Sequence, residues 1–598
     1  MKTRDACYRN RIERYGRLRE KLQSRYDRIS TARILLFLLA VVLLIRGIYS
    51  AHPSFYTAAA LLALLVFSVA VAIHRRVADA VSKIEALLSI NREGLTRLQD
   101  GWAKFPLTGG EFLDGLGPQA ADLNILGRNS LFQMCQMTAT AIGARRLADR
   151  LTGPPDFAAL PMRQEAVREI SARLAFRQHL LMEGRRLDKR PDPAPFLEWI
   201  ATPSYLTENR WLVILQRVSV SLTVGLMFLQ GLFDAPPYWI VPLLFQTGVF
   251  FRTGNRCRAQ YMPALASDSS FLAYGAMFES IEKQRFRADY LKRLHSRLIV
   301  HGKGISKRMR RLDKINGALC LHYSILYPFI NILLLWDIHY LHRLENWKDK
   351  MRGAIDNAFD ALAEMEALSS IAGIAYDNPD YAFPRIEPSG PPFSARQMGH
   401  PLIPGPERVY NDFEISGEGG VALITGSNMS GKSTFVRTVG INLALAFSGG
   451  PVAARELSAR HCRVLTCIQV LDSIRLHLSH FYGEVKQIKR ILDSVSEPDA
   501  LPVLYLIDEI FSGTNTKERL LASRGIIQKL AASRSFGLVT THDLELVTLA
   551  EASDRVKNYH FRDDIDEKGN MVFHYRLHPG PIRSTNALEI LKREGIEF

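Results

Sequence analysis

Two long apolar runs interrupt an otherwise polar and basic N-terminal region. Ile34 to Ile45 is continuously apolar, and the nineteen positions from Phe55 to Ile73 carry no charge. The second run has about the 20 residues that cross a bilayer, and the first reaches across by adding Gly47, Ile48 and Tyr49. A short link with His52 and Pro53 makes the pair a helical hairpin over 34–73. Residues 1–33, with eleven Lys/Arg against four Asp/Glu, precede it, and His74, Arg75 and Arg76 follow. Basic flanks on both sides keep both ends cytoplasmic. The basic segment is too long for a cleaved signal peptide, and no small-residue cleavage site follows it.

A second hairpin is expected at 211–251, from Trp211 to Phe233 and from Tyr238 to Phe251, split by Asp234, Ala235, Pro236 and Pro237. Arg252, Arg256 and Arg258 again place the exit on the cytoplasmic side. Ala318 to Trp336 is also apolar but contains His322, Pro328 and Asn331, so it reads as a buried helix of the soluble part. Helical periodicity marks 77–100 and 120–190, and Ser270 to Lys314 reads as one long helical region. Within it, Glu282 to Lys314 holds twelve Lys/Arg against three Asp/Glu. Such a basic helix, 282–314, suits the phosphates of DNA or acidic headgroups equally. Asn378-Pro379, Pro384, Pro388 and Gly390-Pro391-Pro392 form a turn-rich link to the C-terminal part.

The pattern then changes to alternating strands and helices over 420–560, which implies a parallel sheet with ligands at its C-terminal edge. Val421 to Ile424 is a buried strand, Phe435 to Phe447 a helix, and between them stand Gly426, Gly431, Lys432 and Ser433 in the spacing G-x-x-x-x-G-K-S. Strand, glycine loop and helix in that order form a phosphate-binding loop, whose inward backbone N–H groups and helix dipole hold an anion. Gly426, Ser427, Asn428, Met429, Ser430, Gly431, Lys432, Ser433 and Thr434 are the expected ATP-binding residues, with the Ser433 hydroxyl on Mg²⁺. A second strand, Val503 to Ile507, ends in Asp508 and Glu509; Asp508 would organise Mg²⁺ and Glu509 would polarise the attacking water. A third, Gly537 to Thr540, is followed by Thr541, His542 and Asp543, which puts His542 where it could sense a γ-phosphate.

The net charge of +16 points to acidic partners, nucleic acid or anionic lipid, without choosing between them. The six cysteines include no C-x-x-C pair, so reduced thiols and no thiolate metal site are expected.

The loop Gly426-Ser-Asn-Met-Ser-Gly-Lys-Ser-Thr434 resembles that of the MutS family of DNA mismatch-repair ATPases, in which Asn-Met inside the loop is distinctive. Asp508-Glu509 with Ser512-Gly513-Thr514-Asn515-Thr516, Thr541-His542, Pro451 to Ala454 and Ser479 to Glu484 resemble other segments of its ATPase domain. Upstream, Asp122 to Leu126, Thr138 to Gly143 and Glu366-Ala367-Leu368 are similar to its helical core. The resemblance implies Mg²⁺-dependent ATP hydrolysis and a composite homodimer in which Ser479 reaches the partner's nucleotide. Nothing before residue 77 resembles the mismatch-reading domain, and its Phe-x-Glu wedge has no counterpart, so mismatch recognition does not carry over.

The expected architecture is thus an α/β P-loop NTPase domain of the ABC-type, MutS-like kind at 395–598. Before it come a basic segment at 1–33, the hairpin at 34–73, a helical core at 77–210, the second hairpin at 211–251 and a helical lever at 252–394. The expectation is a multi-pass protein of the inner (cytoplasmic) membrane with its ATPase domain in the cytoplasm. Lys432, Glu509 and His542 are its expected catalytic residues, ATP and Mg²⁺ its cofactors, and a second copy, the membrane and DNA its partners. The alternative is a membrane switch that acts on lipid or a protein without DNA.

Overall fold

Helix α1 (Lys2–Tyr49) and helix α2 (Pro53–Leu98) run side by side as one long antiparallel hairpin. Pro53 suits the first turn of α2, where its missing N–H removes no helical bond. The pairing keeps register along its length: Tyr26 meets His74 with ring centroids 4.3 Å apart, and Arg19 Nε donates to Glu85 Oε1 at 2.8 Å. Near the N-terminus the Tyr8 ring lies so close to Gly94 that a Cβ there would fall 2.5 Å from a ring carbon. The basic segment 1–33 is therefore no separate tail but the continuation of the first apolar helix. Between 34 and 73 the hairpin's outer faces stay apolar and exposed, with Leu35, Leu39, Phe55, Leu61 and Leu65 among them. The computed structural model describes residues 2–186, 192–233, 235–266, 268–427, 429–469, 480–497, 500–511, 515–565 and 571–581.

The C-terminal half of α2 docks on helix α3 (Leu174–Arg185), where Arg185 Nη1 donates to Glu93 Oε1 at 2.6 Å. At 210–266 the expected second hairpin forms helices α4 (Arg210–Phe233) and α5 (Ile240–Ala266). Among the described residues α1, α2 and α4 are long and apolar enough to cross a membrane. Helix α5 falls short of that test, because Arg252, Arg256 and Arg258 enter it after too short an apolar run.

Two further expectations need correction. The basic stretch 282–314 is not one helix. A helix ends at Glu282, another spans Asp289–Ser296, and a tight hairpin of strands β1 (Ile299–Val300) and β2 (Lys303–Gly304) follows before helix α6 (Ile305–Leu319). His301 and Gly302, with φ of 47° and 69°, make the two-residue turn that interrupts the helical pattern. Nor is Ala318 to Trp336 a buried helix. The chain breaks at Ser324 with a bend of 119°, and Tyr323, Ile325, Leu326 and Phe329 are exposed, Ile325 at 89%. The first helix has ended by then, and Pro328 stands in the first turn of a short one, Tyr327–Leu334, before helix α7 (Trp336–Met351).

Helix α8 (Ala354–Asp377) runs through the helical region and is buried on nearly every side. Polar positions in it are satisfied from neighbouring elements: Glu366 accepts the backbone N–H of Ala139 at 2.7 Å, and Arg150 pairs with Glu364 at 2.8 Å. Residue 377 closes the helix, and the turn-rich link leads to two sheets.

The smaller sheet orders its strands 385–387, 456–460, 393–398 and 411–415. The larger contains β3 (Val421–Thr425), β4 (Arg463–Cys467), β5 (Val503–Ile507), β6 (Phe536–Thr540), β7 (Val556–Ile565) and β8 (Met571–Pro579). Its order is β8-β7-β3-β6-β5-β4, parallel except for β8. Both faces are buried, as a parallel sheet requires. Ala422 and Ile424 face the core shared with the helical region, whereas Val421 and Leu423 face a second core with Tyr505, Ile507 and Val539.

Candidate functional site

The strand order explains why segments far apart in sequence meet. β6 lies between β3 and β5, so the loop after β3, the acidic pair after β5 and the residues after β6 open at one edge. The loop leaves β3 at Gly426, and helix α9 (Lys432–Ser448) begins where it ends. Gly426, Met429 and Gly431 have φ of 154°, 70° and 108°. Glycine is needed twice over at 431, since a Cβ there would lie 3.0 Å from Tyr575 Cδ1.

Lys432 is buried and curls back on the loop, its Nζ donating to the carbonyls of Gly426 at 3.0 Å and Ser427 at 2.8 Å. Burial pulls its ammonium below the usual lysine range, while Glu509, Asp508 and Asp563 oppose that shift. Beside it, the buried Ser430 hydroxyl has no hydrogen-bond partner.

Across the edge, Thr540 ties the acidic pair together. Its Oγ1 donates to Asp508 Oδ1 at 2.6 Å and accepts from the Glu509 N–H at 2.7 Å. Glu509 and Phe511 hold φ of 52° and 59°, left-handed values that non-glycine residues adopt only when their surroundings enforce them. The Phe511 N–H donates to Glu484 Oε1 at 2.6 Å, and His542 Nε2 lies 2.8 Å from Glu509 Oε1.

A cavity of about 960 Å³ opens at this edge. Lys432, Ser433, Thr434 and Glu509 line its polar part, and Val409, Phe435 and Phe561 its apolar part. His400 lines it too, and burial pushes its imidazole down to about 4, with Arg408 and Arg437 adding to the effect. Its Nδ1 accepts the Leu402 N–H at 3.3 Å, as a neutral ring can.

These residues fit an ATP–Mg²⁺ complex. Lys432 and Ser433 line the cavity together with Glu509, a buried Ser430 hydroxyl without a hydrogen-bond partner stands in the loop, and Thr540 holds the Asp508 carboxylate next to Glu509, a donor set of the type that takes phosphates and Mg²⁺. Among the described residues no group of three His, Cys, Asp or Glu gathers for any other metal.

Gly426, Ser427, Met429, Ser430, Gly431, Lys432, Ser433 and Thr434 lie in the loop after β3 and the first turn of α9, and Asp508, Glu509 and His542 follow β5 and β6 of the same sheet. Asn428, Ser479 and Ser512-Gly513-Thr514 lie outside the described residues. Sequence reasoning overlooked Thr540, a strand residue whose role depends on β5 and β6 being neighbours. It also gave no role to Asp122, which reaches from the helical region into the α/β domain. The buried Asp122 carboxylate accepts from Thr466 Oγ1 at 2.6 Å and from the Gln469 N–H at 3.1 Å. Its backbone carbonyl accepts from Arg437 Nε of α9 at 2.9 Å. One residue therefore touches both helix α9 and the tip of β4.

A parallel sheet buried on both faces, a glycine loop entering a helix, and an acidic pair one strand removed define the class: a mixed α/β domain of the ATPase type. Residues 422–596 match the family model of MutS domain V. The family-model match supports a MutS-family protein. The chain is 30% identical over 248 residues to the DNA mismatch repair protein MutS from Thermus thermophilus, a region covering 41% of this chain and 29% of the relative. The MutS of a second strain of that organism is 30% identical over the same length, 28% of its own. The chain thus matches less than a third of the length of these curated relatives.

Proposed function

We propose that this chain hydrolyses ATP at the described edge and is held in the cytoplasmic membrane by its apolar helices, with the α/β domain in the cytoplasm. The observation that carries the reading is the hydrogen-bonded cluster Asp508–Thr540–Glu509–His542, whose Glu509 lines the same cavity as Lys432. The loop N–H groups, Lys432 and Thr434 bind the phosphates. Ser433 and Asp508 would hold Mg²⁺, which when bound neutralises phosphate charge. Glu509 accepts a proton from the attacking water, and His542 holds that carboxylate in place and senses the γ-phosphate end of the site. Ser479 completes the site of a second copy in a homodimer. Membrane attachment is supported by the length and apolar character of α1, α2 and α4 and by the basic residues at their cytoplasmic ends.

On the task the ATPase drives, the MutS relatives and the basic surface of 282–314 favour a DNA-dependent activity of the mismatch-repair type. A second reading, a switch acting on lipid or a protein partner without mismatch recognition, is favoured by the exposed apolar turn at Tyr323 to Phe329. The deciding experiment measures ATP turnover of the detergent-solubilised protein against homoduplex DNA, mismatched DNA and anionic lipid at two salt concentrations. DNA stimulation that fades with salt supports the first reading. Activation by lipid alone supports the second, and no turnover under any condition overturns the ATPase assignment.

A further inference from the structure

Away from the nucleotide edge, a basin of about 690 Å³ opens between the β1–β2 hairpin, the first turns of α6 and the end of α7. Cationic side chains line it from all three: Lys303 from the hairpin, beside His301, then Lys307, Arg308 and Arg311 from α6, and Lys350 from α7. No Asp or Glu lines it. Its framework is rigid. Arg308 Nη2 donates to the Val300 carbonyl at 2.9 Å, and the buried Trp347 donates its Nε1–H to the Arg308 carbonyl at 2.8 Å.

The charge is uncompensated here in a way it is not nearby. Arg310, on the other side of α6, pairs with Glu279 at 3.3 Å, and Arg297 pairs with Asp360 at 2.7 Å. The carboxylates adjoining the basin are used elsewhere: Glu282 accepts from the Ser306 N–H at 2.8 Å, and Asp349 accepts from Ser204 Oγ at 2.9 Å. Among the described residues, Lys303, Lys307, Arg311 and Lys350 form no ion pair, and the buried Arg308 Nε has no partner. Like charges gathered at one recess repel, and a multivalent anion relieves that repulsion at several points together.

We propose that this basin binds a compact ligand bearing clustered phosphate groups, held by Lys303, Lys307, Arg308, Arg311 and Lys350. Its volume lies within the range of small-molecule sites, about 300–1,000 Å³. The chemistry is shared by a free polyphosphate and by the headgroup of an anionic phospholipid. The exposed apolar turn 323–329 lies past the far end of α6. That end, Leu319, is eight residues from Arg311, about 12 Å at the rise of a helix. The proposal stands apart from the nucleotide site and does not depend on ATP turnover.

The test is calorimetric titration of the full-length solubilised protein with inorganic tripolyphosphate at low and moderate salt. A Lys432→Ala background removes competition from the phosphate loop. Saturable binding that weakens with salt is expected. Lys307→Ala with Arg311→Ala should lower the affinity at least about tenfold, and the exposed single change Lys350→Gln should lower it severalfold. With Lys432 intact, the same changes leave basal ATP turnover and the thermal unfolding midpoint as they were, which shows that the variants are folded. Repeating the titration in nanodiscs separates the sources. Loss of tripolyphosphate binding when cardiolipin joins phosphatidylcholine identifies a headgroup, and unchanged binding identifies a free ligand. Absence of saturable binding, or binding that these substitutions leave intact, overturns the proposal. So does a basin that holds duplex DNA through these residues while ignoring tripolyphosphate.

Discussion

His542 Nε2 stands 2.8 Å from Glu509 Oε1, and the Glu509 backbone N–H is itself held by Thr540 Oγ1 at 2.7 Å. The carboxylate expected to take the proton from water is thus fixed at both its main chain and its side chain by the strand next door. Glu509→Gln should retain ATP binding and lose about 10²–10⁴-fold in kcat, the usual worth of a positioned general base. His542→Ala should lower kcat by about tenfold, ~1.4 kcal/mol, with little change in KM. Single-turnover kinetics beside nucleotide-binding titrations check both, and wild-type turnover in Glu509→Gln would sink the base assignment.

Lys432 spends its ammonium on the Gly426 and Ser427 carbonyls. Lys432→Ala frees those carbonyls but leaves no cation to meet phosphate. ATP affinity should fall by at least about tenfold, ~1.4 kcal/mol, measured with a fluorescent ATP analogue.

Asp122 joins the helical region to α9 and β4. Asp122→Ala leaves the buried Thr466 hydroxyl without an acceptor, which costs about 1–3 kcal/mol. The specific expectation is uncoupling. Basal turnover persists, whereas stimulation by whichever effector acts through the helices falls, as effector titrations of the purified variant would reveal.

His400 gives the stability a pH signature. Above pH 6.5 it is neutral in both the folded and unfolded chain. As pH falls from 6.5 towards 4 the unfolded chain binds a proton that buried His400 refuses, so the folded state loses stability over that window, and the loss levels off below about 4. His400→Gln should flatten that part of a plot of urea midpoint against pH.

Gly94 admits the Tyr8 ring, whose hydroxyl donates to buried Asp377 at 2.9 Å. Gly94→Ala should destabilise the end of the hairpin where Tyr8 meets Gly94 by about 1–3 kcal/mol, the usual cost of overpacking. Adding Tyr8→Ala should recover part of that loss. Purely additive effects in the double variant would show that the two residues do not share a site.

Much of this protein is fixed by local chemistry and is legible residue by residue. Apolar runs of spanning length, basic flanks, the glycine loop and the acidic strand tip each depend on neighbours within a few positions, because helix dipole, turn geometry and strand burial act at that range. Tertiary structure decided what depends on elements meeting across the chain. The 282–314 stretch broke into helices and a hairpin because two left-handed residues, His301 and Gly302, overrode its helical composition. The run from Ala318 to Trp336 was apolar enough for a core, yet Ser324 and Pro328 bent it outward, and composition does not say which side of a fold an apolar segment faces. Thr540 acquired its role from the order β3-β6-β5, and Asp122 from a contact 344 residues away in sequence. Hydrogen bonds of that kind require two backbones to be placed first, and their placement is set by burial summed over the whole molecule rather than by any local pattern.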